Sequence, residues 1–162
     1  MKIAIIGDTH MPKRAKQLPP VLVSTLKEVD RIIHVGDWQT LQLYEELATF
    51  APVEGVSGNV DTEEIKDKFP NRLILTFGDV HIGVVHGHGK TNTTEKRAID
   101  AFSFEDVDII LFGHSHIPIL KGLNDIILFN PGSPTDKRRQ QQFSFGLIVI
   151  NEAGVKLSHI FY

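Results

Sequence analysis

The sequence predicts an α/β fold of four layers, α-β-β-α, in which two mixed β-sheets pack face to face and helices cover the outer faces. In the first half of the chain, short apolar runs alternate with helical patterns, and the second half is rich in short strands joined by Gly, Asn and Asp turns. The total of about ten strands is large for one open twisted sheet, which favours two sheets. No repeat, low-complexity tract or linker divides the chain, so residues 1–162 are predicted to form a single domain.

The first half has the β-α-β-α-β order that is typical of a parallel sheet. Apolar residues recur at helical spacing between Leu18 and Val29, and Pro19 and Pro20 are suited to a first helical turn. The predicted elements are, in order, the strand Lys2–Gly7, the helix Leu18–Val29, the strand Arg31–Val35, the helix Leu41–Ala48 and the strand Pro52–Val56.

The second half is predicted to contain mostly strands. Gly78 and Asp79 are the turn residues that a tight hairpin needs between Arg72–Phe77 and Val80–Val85. A helix is predicted over Thr94–Phe102. The remaining strands are predicted at Asp108–Phe112, Ile117–Leu123, Ile126–Phe129, Phe145–Ile150 and Val155–Phe161.

The composition narrows the class of partner and the compartment. The formal net charge is −3, and acidic and basic residues are interspersed. Domains that bind nucleic acid through phosphates are usually strongly basic on one face. Nucleic acid is therefore a disfavoured partner. The absence of cysteine excludes disulfides and thiolate metal sites and suits a reducing compartment. The short N-terminal apolar run ends at Asp8 and no segment approaches the length of a membrane span, so we expect a cytoplasmic protein without a signal or a membrane anchor.

Five predicted strands are followed by polar residues of one chemical kind, next to glycine. These five motifs are Gly7-Asp8-Thr9-His10, Gly36-Asp37, Gly58-Asn59-Val60-Asp61, His86-Gly87-His88 and Gly113-His114-Ser115-His116. Each alone could be an ordinary polar turn. However, ligands of α/β sheets bind beyond the carboxyl ends of the strands, where such motifs would meet if the strands are neighbours. Five motifs in this order therefore favour a shared site.

The residue types in these motifs indicate metal chemistry. Carboxylate oxygen, amide oxygen and imidazole nitrogen suit divalent ions such as manganese, zinc, iron or nickel. The motifs hold more of these groups than one ion normally binds, which favours two ions that share a bridging carboxylate.

The motifs, with Asn130-Pro131-Gly132-Ser133, resemble the calcineurin-like metallophosphoesterase superfamily and, more closely, its small prokaryotic phosphodiesterases. The resemblance implies a double β-sandwich flanked by helices, in agreement with the strand count. It also implies two divalent metal ions, with Mn²⁺ expected first and Zn²⁺, Ni²⁺, Fe²⁺ or Mg²⁺ as alternatives. By this resemblance, the first ion would be bound by Asp8, His10, Asp37 and His116, and the second by Asp37, Asn59, His86 and His114.

The function implied is a metal-dependent phosphoesterase, and a phosphodiesterase in the first place, acting on a small phosphoester. The expected mechanism is in-line attack by a hydroxide that bridges the two ions. Asp37 and Asn59 are expected to act in catalysis, and His88 and Asp61 to orient ligands or relay protons. Many members carry a histidine directly after the motif asparagine, where it can protonate the leaving group. This chain has Val60 there, which cannot transfer a proton. Either its activity on substrates with poor leaving groups is weak, or the small members of the family act without this histidine.

Two other functions stay open. One is a non-catalytic interaction module of the same fold, since a retromer subunit with this fold looks like a protein scaffold whose site has decayed. That alternative predicts missing ligands, whereas every expected ligand is present in this sequence. The other is a nuclease, as larger members of the superfamily are, and the acidic charge balance counts against it. The resemblance also implies self-association into a homo-oligomer.

A few further residues have two interpretations. Lys13 and Arg14 follow the first motif, and Lys137, Arg138 and Arg139 follow Asn130-Pro131-Gly132-Ser133. Either group could contact substrate phosphate, but solvated loop charge is the favoured interpretation. His34, inside a predicted buried strand, is more typical of a core or supporting histidine than of a metal ligand.

Overall fold

The computed structural model describes residues 1–162, which form ten strands and four helices. The strands are β1 (Lys2–Ile6), β2 (Arg31–His34), β3 (Val53–Gly55), β4 (Arg72–Phe77), β5 (Val80–Val85), β6 (Ile109–Phe112), β7 (Ile119–Leu123), β8 (Ile126–Asn130), β9 (Ser144–Asn151) and β10 (Gly154–Phe161). The helices are α1 (Pro20–Leu26), α2 (Leu41–Ala48), α3 (Glu63–Lys68) and α4 (Thr94–Asp100). Every predicted strand is present, and α3 is the one element that was not predicted.

The strands form two mixed sheets of five strands each. The first has the order β10-β9-β1-β2-β3, in which β1, β2 and β3 are parallel and the hairpin of β9 and β10 is antiparallel. The second has the order β4-β5-β6-β8-β7, in which β5, β6 and β8 are parallel and both edge strands are antiparallel. Each sheet therefore contains three adjacent parallel strands whose carboxyl ends lie at one edge.

The inner faces of the two sheets pack against each other through aliphatic side chains. Side chains of a strand alternate between its faces, so Ile3 and Ile5 of β1 point to the other sheet while Ala4 and Ile6 point outward. Ile3 and Ile5 join a fully buried cluster with Leu111 of β6 in the second sheet. Full burial of each such side chain contributes about 1.5–3 kcal/mol. This seam holds the two sheets face to face.

Helices cover the two outer faces. The first three helices bury leucine and isoleucine side chains against the outer face of the first sheet, and Leu22 and Leu47 are fully buried there. α4 covers the second sheet, where Ala98 and the following Phe102 pack against Phe112 of β6. The four layers predicted from the sequence are confirmed.

α3 was missed because it is short and has little periodic signal. It has six residues, and Ile65 is its one buried side chain. Its acidic residues Glu63 and Glu64 lie in the first turn and its lysines in the last turn, which is the favourable order of charge for the helix dipole.

The longest helix of the fold has eight residues, and no helix is long and apolar enough to cross a lipid bilayer.

Candidate metal centre

The loops that follow β1, β2, β5 and β6 meet at one edge of the molecule and bring together six of the seven predicted metal ligands. Their ligand atoms form two groups, and within each group all of them lie within 4.8 Å of one another. Site 1 consists of Asp8, His10 and His116, and site 2 consists of Asp37, His86 and His114.

Site 1 is a buried group of three side chains. The Nε2 atom of His116 lies 3.5 Å from Asp8 Oδ1 and 3.2 Å from His10 Nε2. The other ring nitrogen of His116, Nδ1, donates a hydrogen bond to the carbonyl oxygen of Asp136. In the neutral ring this contact leaves the lone pair on Nε2, so His116 turns an electron pair toward Asp8 and His10.

In site 2, as in site 1, a histidine donates from Nδ1 to a backbone carbonyl oxygen and turns Nε2 toward a carboxylate. The Nδ1 atom of His86 donates a hydrogen bond to the carbonyl oxygen of Val35 at 2.8 Å, and its Nε2 atom lies 3.2 Å from Asp37 Oδ2. A neutral His86 would therefore turn a lone pair toward a carboxylate, which is repulsive unless a proton or a cation lies between them. Asp37 Oδ2 is also 3.7 Å from His10 Nε2 of site 1, so this carboxylate lies between the two sites.

Buried polar atoms without a hydrogen-bond partner are concentrated here. The molecule has four such side-chain atoms, and three of them are Asp8 Oδ2, His86 Nε2 and His114 Nδ1. Buried polar atoms are usually paired, because an unpaired one keeps its desolvation penalty. A divalent cation would satisfy all three, and oxygen and imidazole donors are the types that such ions bind. The residues of sites 1 and 2 therefore fit the metal ions that the sequence implies.

The pKa values in the two sites reflect these short distances between charges. Burial opposes a charge on His86, but Asp37 and Asp8 raise the pKa of His86 to about 9. Burial raises the pKa of Asp8 to about 7. Burial lowers the pKa values of His114 and His116 to about 4, and both are neutral near pH 7. Without metal, His86 is protonated and its Nε2 atom faces Asp37 as a donor, so this atom lacks a partner only in the neutral ring that a metal ion would bind.

The backbone of the sites is strained at the residues that carry the ligands. Five of the six ligand residues have positive φ angles: Asp8 (52°), His10 (48°), Asp37 (59°), His114 (66°) and His116 (58°). For residues other than glycine this left-handed conformation costs about 1–3 kcal/mol each and persists only where the surrounding structure enforces it. Such strain is typical of functional sites and turns the side chains inward at the strand ends.

Glycine is required where two of the loops approach the ligands most closely. Gly36 has a φ of +97°, and a Cβ atom there would lie 2.6 Å from the Nδ1 atom of His86. A Cβ atom at Gly58 would lie 2.1 Å from Asp37 Oδ1. Any side chain at either position would displace a ligand.

Asp61 accepts hydrogen bonds from three backbone N–H groups beneath site 2. Its Oδ2 atom accepts from Gly58 at 2.6 Å and from Asp37 at 3.1 Å, and its Oδ1 atom accepts from Gln39 at 2.6 Å. Because these contacts fix the loops that carry Asp37 and Asn59, Asp61 acts on the site by positioning.

Asn59, the seventh predicted ligand, is exposed and lies in the loop next to Asp37. The following residue, Val60, donates its backbone N–H to Asp37 Oδ1 at 3.1 Å. The backbone of Asn59 is therefore beside site 2, and its role as a ligand stays a prediction.

His88 lies on the solvent side of site 2, with its ring 5.5 Å from that of His86 and 6.3 Å from that of His114. Val60 is 45% exposed.

A chain of hydrogen bonds through His34 joins the loops of the two sites. The N–H of Gly36 donates to His34 Nδ1 at 3.2 Å, so His34 carries its proton on Nε2 and donates it to the Thr9 hydroxyl at 3.1 Å. Thr9 in turn donates to the carbonyl oxygen of Asp37. His34 is fully buried and stacks on Trp38, with ring centroids 3.8 Å apart, as expected for a supporting histidine.

Three supporting residues were not assigned a role from the sequence. The Ser133 hydroxyl donates to the carbonyl oxygen of Asp8 at 2.8 Å, and Asp136 orients His116. Arg97 of α4 donates from Nε to the carbonyl oxygen of Gly87 at 2.7 Å and so holds the loop after β5. Only Ser133 belonged to a recognised motif, Asn130-Pro131-Gly132-Ser133, and no local pattern distinguishes the other two from surface charge.

Known proteins resemble this chain over most of its length. The model of the calcineurin-like phosphoesterase superfamily domain matches residues 1–153. The probable metallophosphoesterase of Methanothermobacter thermautotrophicus is 34% identical over 140 residues, which are 85% of this chain and 80% of that protein. The probable metallophosphoesterase of Methanocaldococcus jannaschii is 36% identical over 139 residues, which are 85% of this chain and 70% of that protein.

A solved structure resembles the whole fold. Vps29 of Entamoeba histolytica, crystallised in complex with Zn²⁺, superposes with a TM-score of 0.78 at 25% identity, and the match covers 99% of each chain. The family model matches nearly all of the sequence, and the two relatives are 34% and 36% identical to it over the aligned residues. These two findings assign the chain to the same family. The chain belongs to the calcineurin-like phosphoesterase superfamily, a family of metal-dependent phosphoester hydrolases.

Proposed function

We propose that this protein is a phosphodiesterase that binds two divalent metal ions, one at site 1 and one at site 2, with Asp37 shared between them. Mn²⁺ is the first candidate, and Zn²⁺, Ni²⁺, Fe²⁺ and Mg²⁺ are alternatives. The observation that carries the proposal is the pair of buried Asp/His groups, in which Asp8 Oδ2 and His114 Nδ1 have no partner in the protein and the Nε2 atom of a neutral His86 has none either. When bound, the ions would supply a hydroxide for in-line attack on phosphorus and positive charge for the phosphoryl oxygens.

The charge of the sites favours an anionic substrate. Asp8 and Asp37 are the only carboxylates among the six side chains, and His114 and His116 are neutral near pH 7. Two divalent ions would therefore leave an excess of about two positive charges, or about one once a hydroxide is bound. A phosphoester anion would be attracted to this edge of the molecule even though the whole chain has a net charge of −3.

The surrounding residues favour substrates with good leaving groups. Val60 follows Asn59 where a proton donor would stand in many relatives, and it is the apolar, half-exposed side chain nearest to Asn59 in sequence. His88 is an exposed titratable side chain beside site 2, and burial together with His86 lowers its pKa. A mainly neutral His88 is a weak acid for a departing alkoxide, so activated diesters should react faster than unactivated ones.

The test is hydrolysis of a substrate panel by the metal-free protein reloaded with each divalent ion in turn. The panel contains p-nitrophenyl phosphate, bis(p-nitrophenyl) phosphate and cyclic nucleotides, and the bound metal is measured by elemental analysis. We expect about two ions per chain and the highest kcat/KM on the aryl diester. Asp37→Asn should lose activity by at least about a hundredfold and lose bound metal, because it replaces the charged carboxylate between the sites with a neutral amide.

Asp79→Asn is the matched control, because Asp79 is an exposed aspartate in the turn between β4 and β5, at the opposite end of β5 from His86. It should keep both the metal content and the rate. A fully active, metal-replete Asp37→Asn protein would contradict the proposal.

A non-catalytic interaction module is the second candidate, and the similarity of fold to Vps29 favours it. It predicts no turnover of any ester on the panel with any divalent metal. Cleavage of oligonucleotides, with binding that weakens steeply as salt rises, would instead indicate a nuclease.

A further inference from the structure

A cavity of about 190 Å³ opens beside site 1, and its walls carry an excess of positive charge. Its lining includes His10, Lys13, Arg14, Val60, Asp136 and Arg138. Three of these side chains are cations and one is an anion, although the whole chain has a net charge of −3. We call it the Arg138 cavity.

Two of the three cations have no partner within the protein. Arg14 Nε lies 3.1 Å from Asp136 Oδ2, and this ion pair uses the only carboxylate of the cavity. Lys13 and Arg138 form no ion pair, and neither side chain makes a hydrogen bond to another residue. Charge-assisted hydrogen bonds from such groups are available to an anionic ligand.

The backbone fixes Arg138 beside site 1. Its φ angle of +47° is left-handed, a conformation that needs support from the surrounding structure. The support comes from the residues just before it, because the Ser133 hydroxyl accepts the N–H of Asp136 at 2.8 Å and the carbonyl oxygen of Asp136 accepts a hydrogen bond from His116. The ligand loop of site 1 and the segment that presents Arg138 are thus held together.

The cavity also contacts the position where substrate beyond the phosphoryl group would lie. His10 of site 1 forms one wall, and Val60, which follows Asn59 beside site 2, forms another. A phosphoester bound at the two sites would therefore have part of its organic substituent in a space with one apolar wall and two unpaired cations.

We infer that the Arg138 cavity binds a second anionic group, a phosphate or a carboxylate, on the organic part of the substrate. Arg138 and Lys13 contact that anion, and the cavity selects phosphoesters that carry one. The inference rests on the proposed function, because it places the scissile phosphoryl group at sites 1 and 2.

The test uses two activated diesters that differ by one phosphate. They are thymidine 5′-(p-nitrophenyl phosphate) and the same compound with a 3′-phosphate. The manganese-loaded wild-type protein should have the higher kcat/KM for the 3′-phosphorylated ester, mainly through a lower KM. Arg138→Gln should reduce this preference about tenfold and leave the rate on the other ester within about twofold, since only one substrate makes the charge-assisted contact. Arg138→Lys should keep most of the preference, because it keeps the charge.

Arg139→Gln is the matched control. Arg139 is exposed, follows Arg138 directly and undergoes the same change of charge, but it does not line the cavity. It should leave the preference unchanged, and circular dichroism should show the fold of the wild type for all three variants. An equal loss in the Arg138 and Arg139 variants would show a diffuse charge effect and overturn the inference, as would a wild type that does not distinguish the two esters.

A binding measurement separates this inference from the proposed function. Calorimetry compares thymidine 3′,5′-bisphosphate with thymidine 5′-monophosphate on the same proteins. If neither ester is hydrolysed with any metal, the proposed function fails. The anion site still stands if the bisphosphate binds about tenfold more tightly than the monophosphate and Arg138→Gln removes the difference. Equal binding of the two nucleotides would overturn the anion site, whether or not the protein is an enzyme.

Discussion

At the scale of single residues, the site depends on side chains that hold the metal-ligand residues in position. Asp61 is the clearest example, because it is buried and accepts three backbone N–H groups from the loops around Asp37 and Asn59. No other side chain makes these contacts. Its burial raises its pKa above the usual range for a carboxyl group, despite the hydrogen bonds from Gly58 and Gln39.

Asp61→Ala should therefore lower the free energy of unfolding by about 2–4 kcal/mol, because buried N–H groups would lose their acceptor. Urea unfolding of the metal-free protein measures this loss. The same variant should bind Mn²⁺ about 10–100-fold more weakly, since a residue that orients a metal ligand has effects of this size.

Asp67→Ala in α3 is the control for Asp61, because Asp67 is exposed and forms no ion pair or side-chain hydrogen bond. Its unfolding curve should superpose on that of the wild type. If the unfolding curve of Asp61→Ala also superposed on that of the wild type, the three hydrogen bonds would not contribute to the free energy of unfolding. The positioning role of Asp61 would then be wrong.

Protonation of the ligands gives a second prediction at this scale. Asp37 and Asp8 raise the pKa of His86 to about 9 against its burial, and burial raises the pKa of Asp8 to about 7. At pH 7 in the metal-free protein, His86 carries a proton and Asp8 is about half protonated, and metal can bind only after these protons leave. Loading with Mn²⁺ at pH 7 should therefore release about one to two protons per chain from these two side chains, in addition to any proton from metal-bound water, and metal affinity should rise with pH.

Calorimetric titration with Mn²⁺ in two buffers of different ionisation enthalpy measures the number of protons released. The number should fall as the pH is raised through 7 toward 9, because first Asp8 and then His86 is deprotonated before metal arrives. His114 and His116, whose pKa values burial lowers to about 4, should add nothing above pH 6. Metal binding without any proton release at pH 7 would contradict the charge distribution described for the two sites.

The sequence anticipated the identity of these residues better than their geometry. Asp8, Asp37 and His114 stand out because each follows a glycine after an apolar run. Their positive φ angles could not be predicted, since a left-handed conformation is rare for Asp and His and depends on contacts between distant loops. The interatomic distances likewise depend on how two sheets pack, which no local pattern contains.

At the scale of elements, the pattern of strands was predictable and the supporting helical contacts were not. Ten strands follow from apolar alternation and turn residues, which are local signals. The six-residue helix α3 has one buried side chain and so no detectable period. α4 was expected, but its hydrogen bonds to the loop after β5 were not. These bonds come from Arg97, which is indistinguishable in the sequence from an ordinary exposed helix residue.

Arg97 uses its guanidinium group almost entirely on this loop. It donates to the carbonyl oxygens of Gly87, Thr91 and Asn92 at 2.6–2.7 Å and to the Thr94 hydroxyl at 3.1 Å. Arg97→Met should therefore loosen residues 87–92 and weaken metal binding at site 2 about tenfold, because His86 begins this loop. Hydrogen exchange measures the first effect and Mn²⁺ titration the second.

Lys96→Met is the control for Arg97, because Lys96 is the preceding residue of α4 and its ion pair with Asp100 stays within the helix. It should leave the exchange of residues 87–92 and the Mn²⁺ affinity at wild-type values. Slow hydrogen exchange of residues 87–92 in Arg97→Met would show that the loop keeps its conformation without the Arg97 hydrogen bonds, and would contradict this prediction.

At the scale of the whole molecule, each site takes ligands from both sheets. In site 1, Asp8 and His10 follow β1 of the first sheet, whereas His116 follows β6 of the second. In site 2, Asp37 follows β2, and both histidines follow strands of the second sheet. The aliphatic seam joins the sheets along their length, and the two sites join them at the carboxyl ends of their strands. Metal binding should therefore be linked to the packing of one sheet on the other.

Divalent ions should consequently raise the unfolding temperature. An ion that binds only the folded protein stabilises it by about 2.7 kcal/mol per site at a free concentration one hundred times its Kd. For a chain of this size, this corresponds to roughly 5–10 °C per site. Scanning calorimetry with Mn²⁺ and with a chelator measures the shift. Asp37→Asn should lose most of it and Asp79→Asn should keep it, because only Asp37 lies between ligands that come from different sheets. An unfolding temperature that no divalent ion raises would mean that the sheets pack independently of the ligand clusters, and the unpaired atoms of Asp8, His86 and His114 would then need another explanation.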